Sequence, residues 1–144
     1  MKISTILADK GSNVVTVAPD HSVKDLLALL SLHKIGALVV SLDGNAIIGI
    51  VSERDIVRAL AGSESIMNEQ VSKIMTTEVF VAPFDAKIDE LMNVMTSQRI
   101  RHIPITSDSG ELMGIVSIGD LVKARLNELE SERSALMDYI THGG

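Results

Sequence analysis

One motif occurs twice in this sequence and constrains the fold more than any other feature. GIVSERDIV covers Gly49–Val57, and GIVSIGDLV covers Gly114–Val122, 65 residues later. Seven of the nine positions hold the same residue or an Ile/Leu exchange. The flanking segments also align, with one inserted residue, which indicates two related units. We place the first repeat at 1–65, the second at 66–128 and a C-terminal helical tail at 129–144.

Each repeat shows the same order of periodicities. A short β-branched segment that ends at a proline predicts a strand, and apolar residues at helical spacing then predict a helix. Two apolar runs separated by a turn signal predict a hairpin, after which the doubled motif begins a second helix. Each unit is therefore β-α-β-β-α, in the α/β (α+β) class. Because one sheet face has no helices to cover it, we predict that the repeats pack sheet to sheet with pseudo-two-fold symmetry.

The tail is charged but carries apolar residues at loose helical spacing. Leu126, Leu129, Leu136 and Ile140 predict an extension of the last helix. Two interpretations stay open: the helix docks on its own domain with one face solvated, or it forms a contact between two copies of the chain.

Composition excludes several classes of function. The chain has no cysteine, which removes disulfides, thiolate nucleophiles and cysteine-ligated metals and fits a reducing cytoplasm. Aromatic residues make up 2% and the net charge is −6, so the stacking residues and basic surface of a nucleic-acid binder are missing. No apolar run approaches the roughly 18 residues of a membrane span. Four scattered histidines lack ligand spacing, so we expect no metal site.

The Ser and Asp of the doubled motif support two interpretations. Ser52 with Asp55, and Ser117 with Asp120, stand where a strand ends and a helix begins. A Ser at the N-cap with an acid three residues later is close to a capping box. An ionised Asp can also accept two hydrogen bonds from the vicinal hydroxyls of a ribose, and the first N–H groups of the helix can receive a phosphate. The spacing alone does not separate these roles.

No catalytic motif accompanies these residues. The sequence lacks G-x-S-x-G, Walker A and G-x-G-x-x-G patterns. The acids of the repeat lie at helix starts without a paired base. We therefore expect no enzymatic activity.

The doubled order strand–Pro–helix–strand–turn–strand–G-I-V-S-x-x-D–helix resembles a tandem pair of cystathionine-β-synthase (CBS) domains, also called a Bateman module. The resemblance covers about 1–128 and is most specific at Gly49–Val57, Arg99–Pro104 and Gly114–Val122. SERDIVRAL, RHIPI and GIVSIGDLVKARL resemble the stand-alone bacterial-type members in particular.

The resemblance implies a function that the composition alone does not indicate. CBS pairs leave two clefts between their repeats, which bind adenosine-bearing ligands such as AMP, ADP, ATP, NAD(H) or S-adenosylmethionine. The implied protein is a non-catalytic, energy-sensing homodimer that needs no cofactor, takes an adenine nucleotide as ligand and regulates a separate, unidentified protein. Three alternatives remain: a ligand-free interaction scaffold of the same fold, an S-adenosylmethionine binder, and a weak hydrolase or kinase accessory.

The resemblance also assigns residues to the two clefts. The Asp of each motif holds the ribose hydroxyls, and the adenine leans on the opposite repeat, which puts Ile35 with Asp120 and Ile100 with Asp55. The expected main cleft contains Ile35, Arg101, His102, Ser117, Gly119 and Asp120. The expected second cleft contains Ser52, Arg54, Asp55 and Ile100.

Charge distinguishes the two expected clefts. Arg101 and His102 carry local positive charge on an acidic chain, whereas Gly36 and Ala37 at the corresponding positions offer none. An anionic ligand needs such a cation. We therefore expect phosphate to bind beside Asp120, unless Arg101 forms a surface salt bridge and His102 is a partly buried structural side chain.

Overall fold

The computed structural model describes residues 2–10 and 14–143. Five α-helices and six strands are formed by these residues. The helices are α1 (Ile3–Lys10), α2 (Val23–His33), α3 (Glu53–Gly62), α4 (Ile88–Gln98) and α5 (Ile118–His142). The strands are β1 (Thr16–Val17), β2 (Ala37–Val40), β3 (Gly49–Ser52), β4 (Ala82–Pro83), β5 (His102–Thr106) and β6 (Leu112–Ser117). Two 3-10 turns, Glu64–Asn68 and Val71–Lys73, connect the repeats.

Each repeat forms one three-stranded sheet. In the first, β1 pairs with β2 in parallel and β2 pairs with β3 antiparallel, and β4, β5 and β6 repeat this order in the second. Both hairpin turns place a glycine, Gly44 or Gly110, at positive φ, where a side chain would be strained. The predicted α/β fold of two β-α-β-β-α repeats is confirmed.

The middle strand of each sheet is buried on both faces. All four residues of β2 are buried, as are the three central residues of β5. Leu38 and Val40 belong to the core of the first repeat, so alternation along the strand points Val39 to the opposite face. A strand buried on both faces needs a layer on each side. Helices form one layer, and the sheet of the other repeat forms the second.

The two cores exchange segments at the repeat boundary. Helix α1 buries Ile3 and Ile6 in the core of the second repeat. It approaches β6 closely, because a Cβ on Gly114 would lie 2.6 Å from Leu7 Cδ2. In the opposite direction, Val71 belongs to the core of the first repeat. The boundary between residues 65 and 66 divides the repeats of the sequence. Each hydrophobic core, however, includes residues from the other side of that boundary.

Helix α5 continues without a break for 25 residues. Its first turns bury Leu121 and Ala124 against the second repeat. From Leu129 to Gly143 every residue is exposed. The tail is helical, as its leucine spacing predicts, but it does not dock on the described part of its own chain. That interpretation is wrong because the helix projects past the last buried turn.

Candidate functional site

Both Ser-x-x-Asp motifs form capping boxes. Asp55 Oδ2 accepts a hydrogen bond from the Ser52 N–H at 2.8 Å, and Ser52 Oγ accepts one from the Asp55 N–H at 3.4 Å. The corresponding distances for Ser117 and Asp120 are 2.9 and 3.1 Å. Every hydrogen bond between these carboxylates and described residues goes to Oδ2. The structure therefore confirms the capping role, and Oδ1 of neither carboxylate takes part in it.

Two open clefts lie at equivalent positions of the repeats. The first, which we call the Ile35 cleft, has a volume of about 440 Å³, and the second, the Ile100 cleft, about 550 Å³. The Ile35 cleft is lined by Leu27, Leu30, Ser31, Lys34, Ile35, Gly36 and Glu53. The Ile100 cleft is lined by Arg54, Met95, Thr96, Arg99, Ile100, Arg101 and Ile118. Six positions of each cleft are repeat counterparts, so pseudo-two-fold symmetry relates the clefts.

Three arginines line the Ile100 cleft. Arg54 comes from the first turn of α3 in the first repeat, and its guanidinium donates to the Arg99 carbonyl oxygen at 3.2 Å. Arg99 adopts the left-handed conformation that ends α4 and turns the chain toward β5. Within the described residues, neither these two arginines nor Arg101 pairs with a carboxylate. The structure brings Arg54 and Ile100 together in this cleft, whereas Ser52 and Asp55, which were expected beside them, are not among its lining residues.

Arg101 lines the Ile100 cleft and not the cleft expected to contain Asp120 and Ile35. It is the counterpart of Gly36, and the pseudo-two-fold symmetry places counterparts in different clefts. The structure thus places Arg101 beside Ile100, whereas the sequence argument assigned it to the cleft of Ile35 and Asp120. Arg101 and His102 diverge because successive residues of an extended chain point to opposite faces.

His102 reaches the first repeat. A Cβ on Gly36 would lie 3.3 Å from His102 Cε1, so a glycine at this position leaves room for the imidazole. Burial lowers the pKa of His102, and the Lys10 ammonium lowers it further, while Glu53 and Asp120 oppose the shift. Burial therefore favours the neutral imidazole, so His102 is a weaker source of positive charge than the sequence argument assumes.

Asp120 is held by an ion pair. The Lys10 Nζ lies 2.7 Å from Asp120 Oδ2 and donates to the Ile115 carbonyl oxygen at 3.0 Å. Burial by itself would raise the pKa of Asp120, but the Lys10 ammonium and the Ser117 N–H outweigh burial and lower it. Sequence reasoning missed Lys10 because 110 residues separate the two partners, and no local pattern marks the contact.

Gly119 lies exposed in the first turn of α5, between Ser117 and Asp120. It is the counterpart of Arg54, so the start of α5 presents no guanidinium where the start of α3 presents one. This difference, like that between Gly36 and Arg101, removes positive charge from the Asp120 side of the module.

In residues 2–10 and 14–143, no helix combines the length and the apolar character needed to cross a membrane. The same residues contain no group of three His, Asp or Glu side chains placed to hold a metal ion.

Comparisons with known proteins agree with this architecture. The family model of the CBS domain matches residues 8–62 and 71–127. The crystal structure of a CBS-domain containing protein from Agrobacterium tumefaciens is 42% identical, with a TM-score of 0.83 over 87% of this chain and 99% of that chain. The mitochondrial CBS domain-containing protein CBSX3 of Arabidopsis thaliana is 36% identical over 98% of this chain and 72% of its own length.

A further solved structure is a CBS domain pair in complex with 5′-methylthioadenosine and S-adenosyl-L-methionine. It shares the fold, with a TM-score of 0.79 at 23% identity over 89% of this chain and 98% of that chain. The two matched segments cover both β-α-β-β-α repeats of the present structure. The chain therefore belongs to the CBS-domain family and carries two CBS domains in tandem.

Proposed function

We propose that this protein is a non-catalytic regulatory module that binds adenosine-containing ligands in the clefts between its repeats. Two clefts with equivalent lining support the proposal, and the Ile100 cleft combines Arg54 of the first repeat with residues of the second. Each repeat also carries a Ser-x-x-Asp motif whose carboxylate makes its hydrogen bonds to described residues through Oδ2 alone. The CBS pair that was solved with 5′-methylthioadenosine and S-adenosyl-L-methionine supports this class of ligand. A ligand held between the repeats stabilises one relative arrangement of them, which a separate regulated protein can recognise.

The phosphate of a nucleotide is assigned to the Ile100 cleft. Three arginines line this cleft, and none of them pairs with a carboxylate in the described part of the chain. This observation supports the assignment. Their counterparts on the other side are Lys34, Gly36 and Gly119. Guanidinium groups bind phosphate through charge-assisted, often bidentate hydrogen bonds, and a cationic cleft concentrates anions on a chain of net charge −6. The proposed ligand is AMP, ADP, ATP or NAD(H), with its ribose on Asp55.

The Ile35 cleft favours a second ligand class. Glu53 and Lys34 line it with opposite charges, and burial lowers the pKa of the His102 imidazole that lies against Gly36. A cleft without an excess of positive charge suits an adenosine ligand that lacks phosphate, such as adenosine, 5′-methylthioadenosine or the cationic S-adenosylmethionine. Binding of these ligands is the second candidate function.

A ligand panel tests both assignments. AMP, ATP, NADH, adenosine and S-adenosylmethionine are titrated calorimetrically, and thermal unfolding is followed with each ligand. A ligand at 100 times its Kd stabilises the fold by about 2.7 kcal/mol, which raises the Tm by about 5–10 °C for a chain of this size. If no ligand shifts the Tm at millimolar concentration, the binding function fails and the interaction scaffold replaces it.

Arg101→Ala tests the phosphate assignment. Charge-assisted hydrogen bonds contribute about 1.5–3 kcal/mol, so AMP should bind tenfold or more weakly while adenosine binding stays nearly constant. Lys34→Ala is the matched control, because it removes a cation from the other cleft and should leave AMP affinity unchanged. Equal losses for AMP and adenosine would mean that Arg101 supports the fold and does not hold phosphate.

A further inference from the structure

Helix α5 carries an apolar stripe that the described residues of its own chain do not cover. Five large side chains form it, each between 42% and 64% exposed. They are Val122, Leu126, Leu129, Leu136 and Ile140. A helix in water normally buries such a stripe against another surface. The match to the CBS family ends at residue 127, so most of the stripe lies beyond the second repeat.

The spacing of the stripe is that of a coiled coil. Positions 122, 126, 129, 133, 136 and 140 alternate steps of four and three, which is the repeat of the a and d positions of a heptad. At 1.5 Å per residue the stripe is about 27 Å long. Arg133 is the one charged residue among these six positions. A regular 3.5-residue repeat keeps one seam toward a partner helix over this whole length.

We propose that the stripe packs against α5 of a second copy of this chain, and that the two helices run antiparallel. Centring the pair between Leu129 and Arg133 sets Val122 against Ile140 of the second copy and Leu126 against Leu136 of the second copy. Each Arg133 then meets Leu129 of the other helix. The same contacts occur twice, as two-fold symmetry requires.

Charge explains the choice of partner and direction. In a parallel, in-register pair each Arg133 would face its own copy, and like charges at a core position repel. In the antiparallel pair the aliphatic stem of Arg133 covers Leu129 of the other helix, and its guanidinium lies beside Glu130 of that helix. Arg133 forms no ion pair within the described chain, so its charge is available for this contact. The helix thus supplies both the apolar seam and the acid that its own arginine needs.

The oligomeric state tests the pairing. The wild-type protein should be a dimer in light scattering and sedimentation at micromolar concentration. Leu129→Glu puts a charge into the seam and should weaken dimerisation at least tenfold. Ser131→Glu adds the same charge two residues away on the opposite face, and should leave the dimer intact. Neither residue is buried, so circular dichroism should show a folded domain in both variants. A monomeric wild type, or equal dimerisation of Leu129→Glu and wild type, would overturn the proposal.

Disulfide trapping tests the direction against a clean background, because the chain has no cysteine. Leu126→Cys mixed with Leu136→Cys in a glutathione redox buffer should form mainly the mixed disulfide, which a size tag on one variant distinguishes. Ser131→Cys faces away from the seam and should not crosslink. Crosslinks that join 126 to 126 and 136 to 136 would refute the antiparallel pair, as would the absence of any crosslink. These readouts need no nucleotide, so they succeed or fail independently of the ligand proposal.

Discussion

The Lys10–Asp120 ion pair fastens α1 to the second repeat, and Lys10→Met removes it while keeping an unbranched stem. The Lys10 side chain is 39% exposed and that of Asp120 is 23% exposed. Exposed pairs contribute about 0–1 kcal/mol, whereas breaking a buried pair costs about 3–5 kcal/mol. The Lys10–Asp120 pair is partly exposed, and Lys10 also donates to the Ile115 carbonyl oxygen. We therefore place its contribution near the upper end of the range for exposed pairs. We expect a loss of about 1 kcal/mol and a Tm drop of about 2–4 °C.

The pH dependence of that loss identifies its source. Lys10 and the Ser117 N–H hold the pKa of Asp120 below its usual value in the folded state. A carboxyl group with a depressed folded pKa stabilises the fold above its unfolded pKa, and this contribution disappears as the pH falls through the folded pKa. The difference between wild type and Lys10→Met should therefore be complete at pH 6–7. It should shrink below the ordinary aspartate pKa of 3.8.

Urea denaturation of wild type, Lys10→Met, Asp120→Asn and the double variant measures this coupling as a double-mutant cycle. Asn at 120 keeps a side-chain acceptor for the Ser117 N–H, so the cycle isolates the ion pair from the cap. A coupling energy of zero at pH 7 would refute the reasoning. So would a cost of Lys10→Met that does not decline as the pH falls below 3.8, because the unfolded chain then takes up a proton that the ion pair opposes in the folded state.

Two further predictions concern the site residues. Asp55→Asn keeps the size of the side chain and an acceptor for the cap, so the stability of the ligand-free protein should change by less than about 1 kcal/mol. The affinity for AMP should fall at least tenfold, because the carboxylate that accepts both hydroxyls of the ribose is lost. Unfolding and titration of this variant check both, and an unstable apo protein with unchanged affinity would leave Asp55 as a cap only. Because burial lowers the pKa of His102, the unfolded state takes up its proton first as the pH falls below 6.5, so stability should decline between pH 6.5 and the folded pKa. His102→Gln should lack this component in the same denaturation series, and an identical decline in both proteins would contradict it.

Local patterns in the sequence predicted the parts of the fold that depend on short-range interactions. The order of strands and helices follows from periodicity, and the capping boxes at Ser52 and Ser117 are contacts between residues three apart in the chain. Such features are readable because the groups that satisfy one another lie within one helical turn.

The parts that the sequence did not predict depend on the exchange of segments between repeats. Lys10 reaches Asp120 because α1 packs on the opposite core, and no periodicity reports that exchange. The cleft that Arg101 lines was also not evident from the sequence. Adjacent residues were assigned to one cleft, whereas the direction of each side chain along an extended segment decides which cleft it lines.

Duplication explains why the two clefts have the same shape, and divergence at the positions of Arg54 and Arg101 explains why they differ in positive charge. The backbone elements around Ile35 and Ile100 are copies, so both clefts inherit an apolar wall and one residue from the start of a helix, Glu53 or Ile118. Arg99 corresponds to Lys34, whereas Arg54 and Arg101 correspond to glycines. Gly36 also makes room for the imidazole of His102, so restoring an arginine there would require that ring to move. Glycine at position 36 therefore has two effects: it leaves the Ile35 cleft without the positive charge that Arg101 gives the other cleft, and it allows His102 of the second repeat to pack against the first. For that reason we expect the division between a phosphate-binding and a phosphate-free cleft to resist exchange by single mutations.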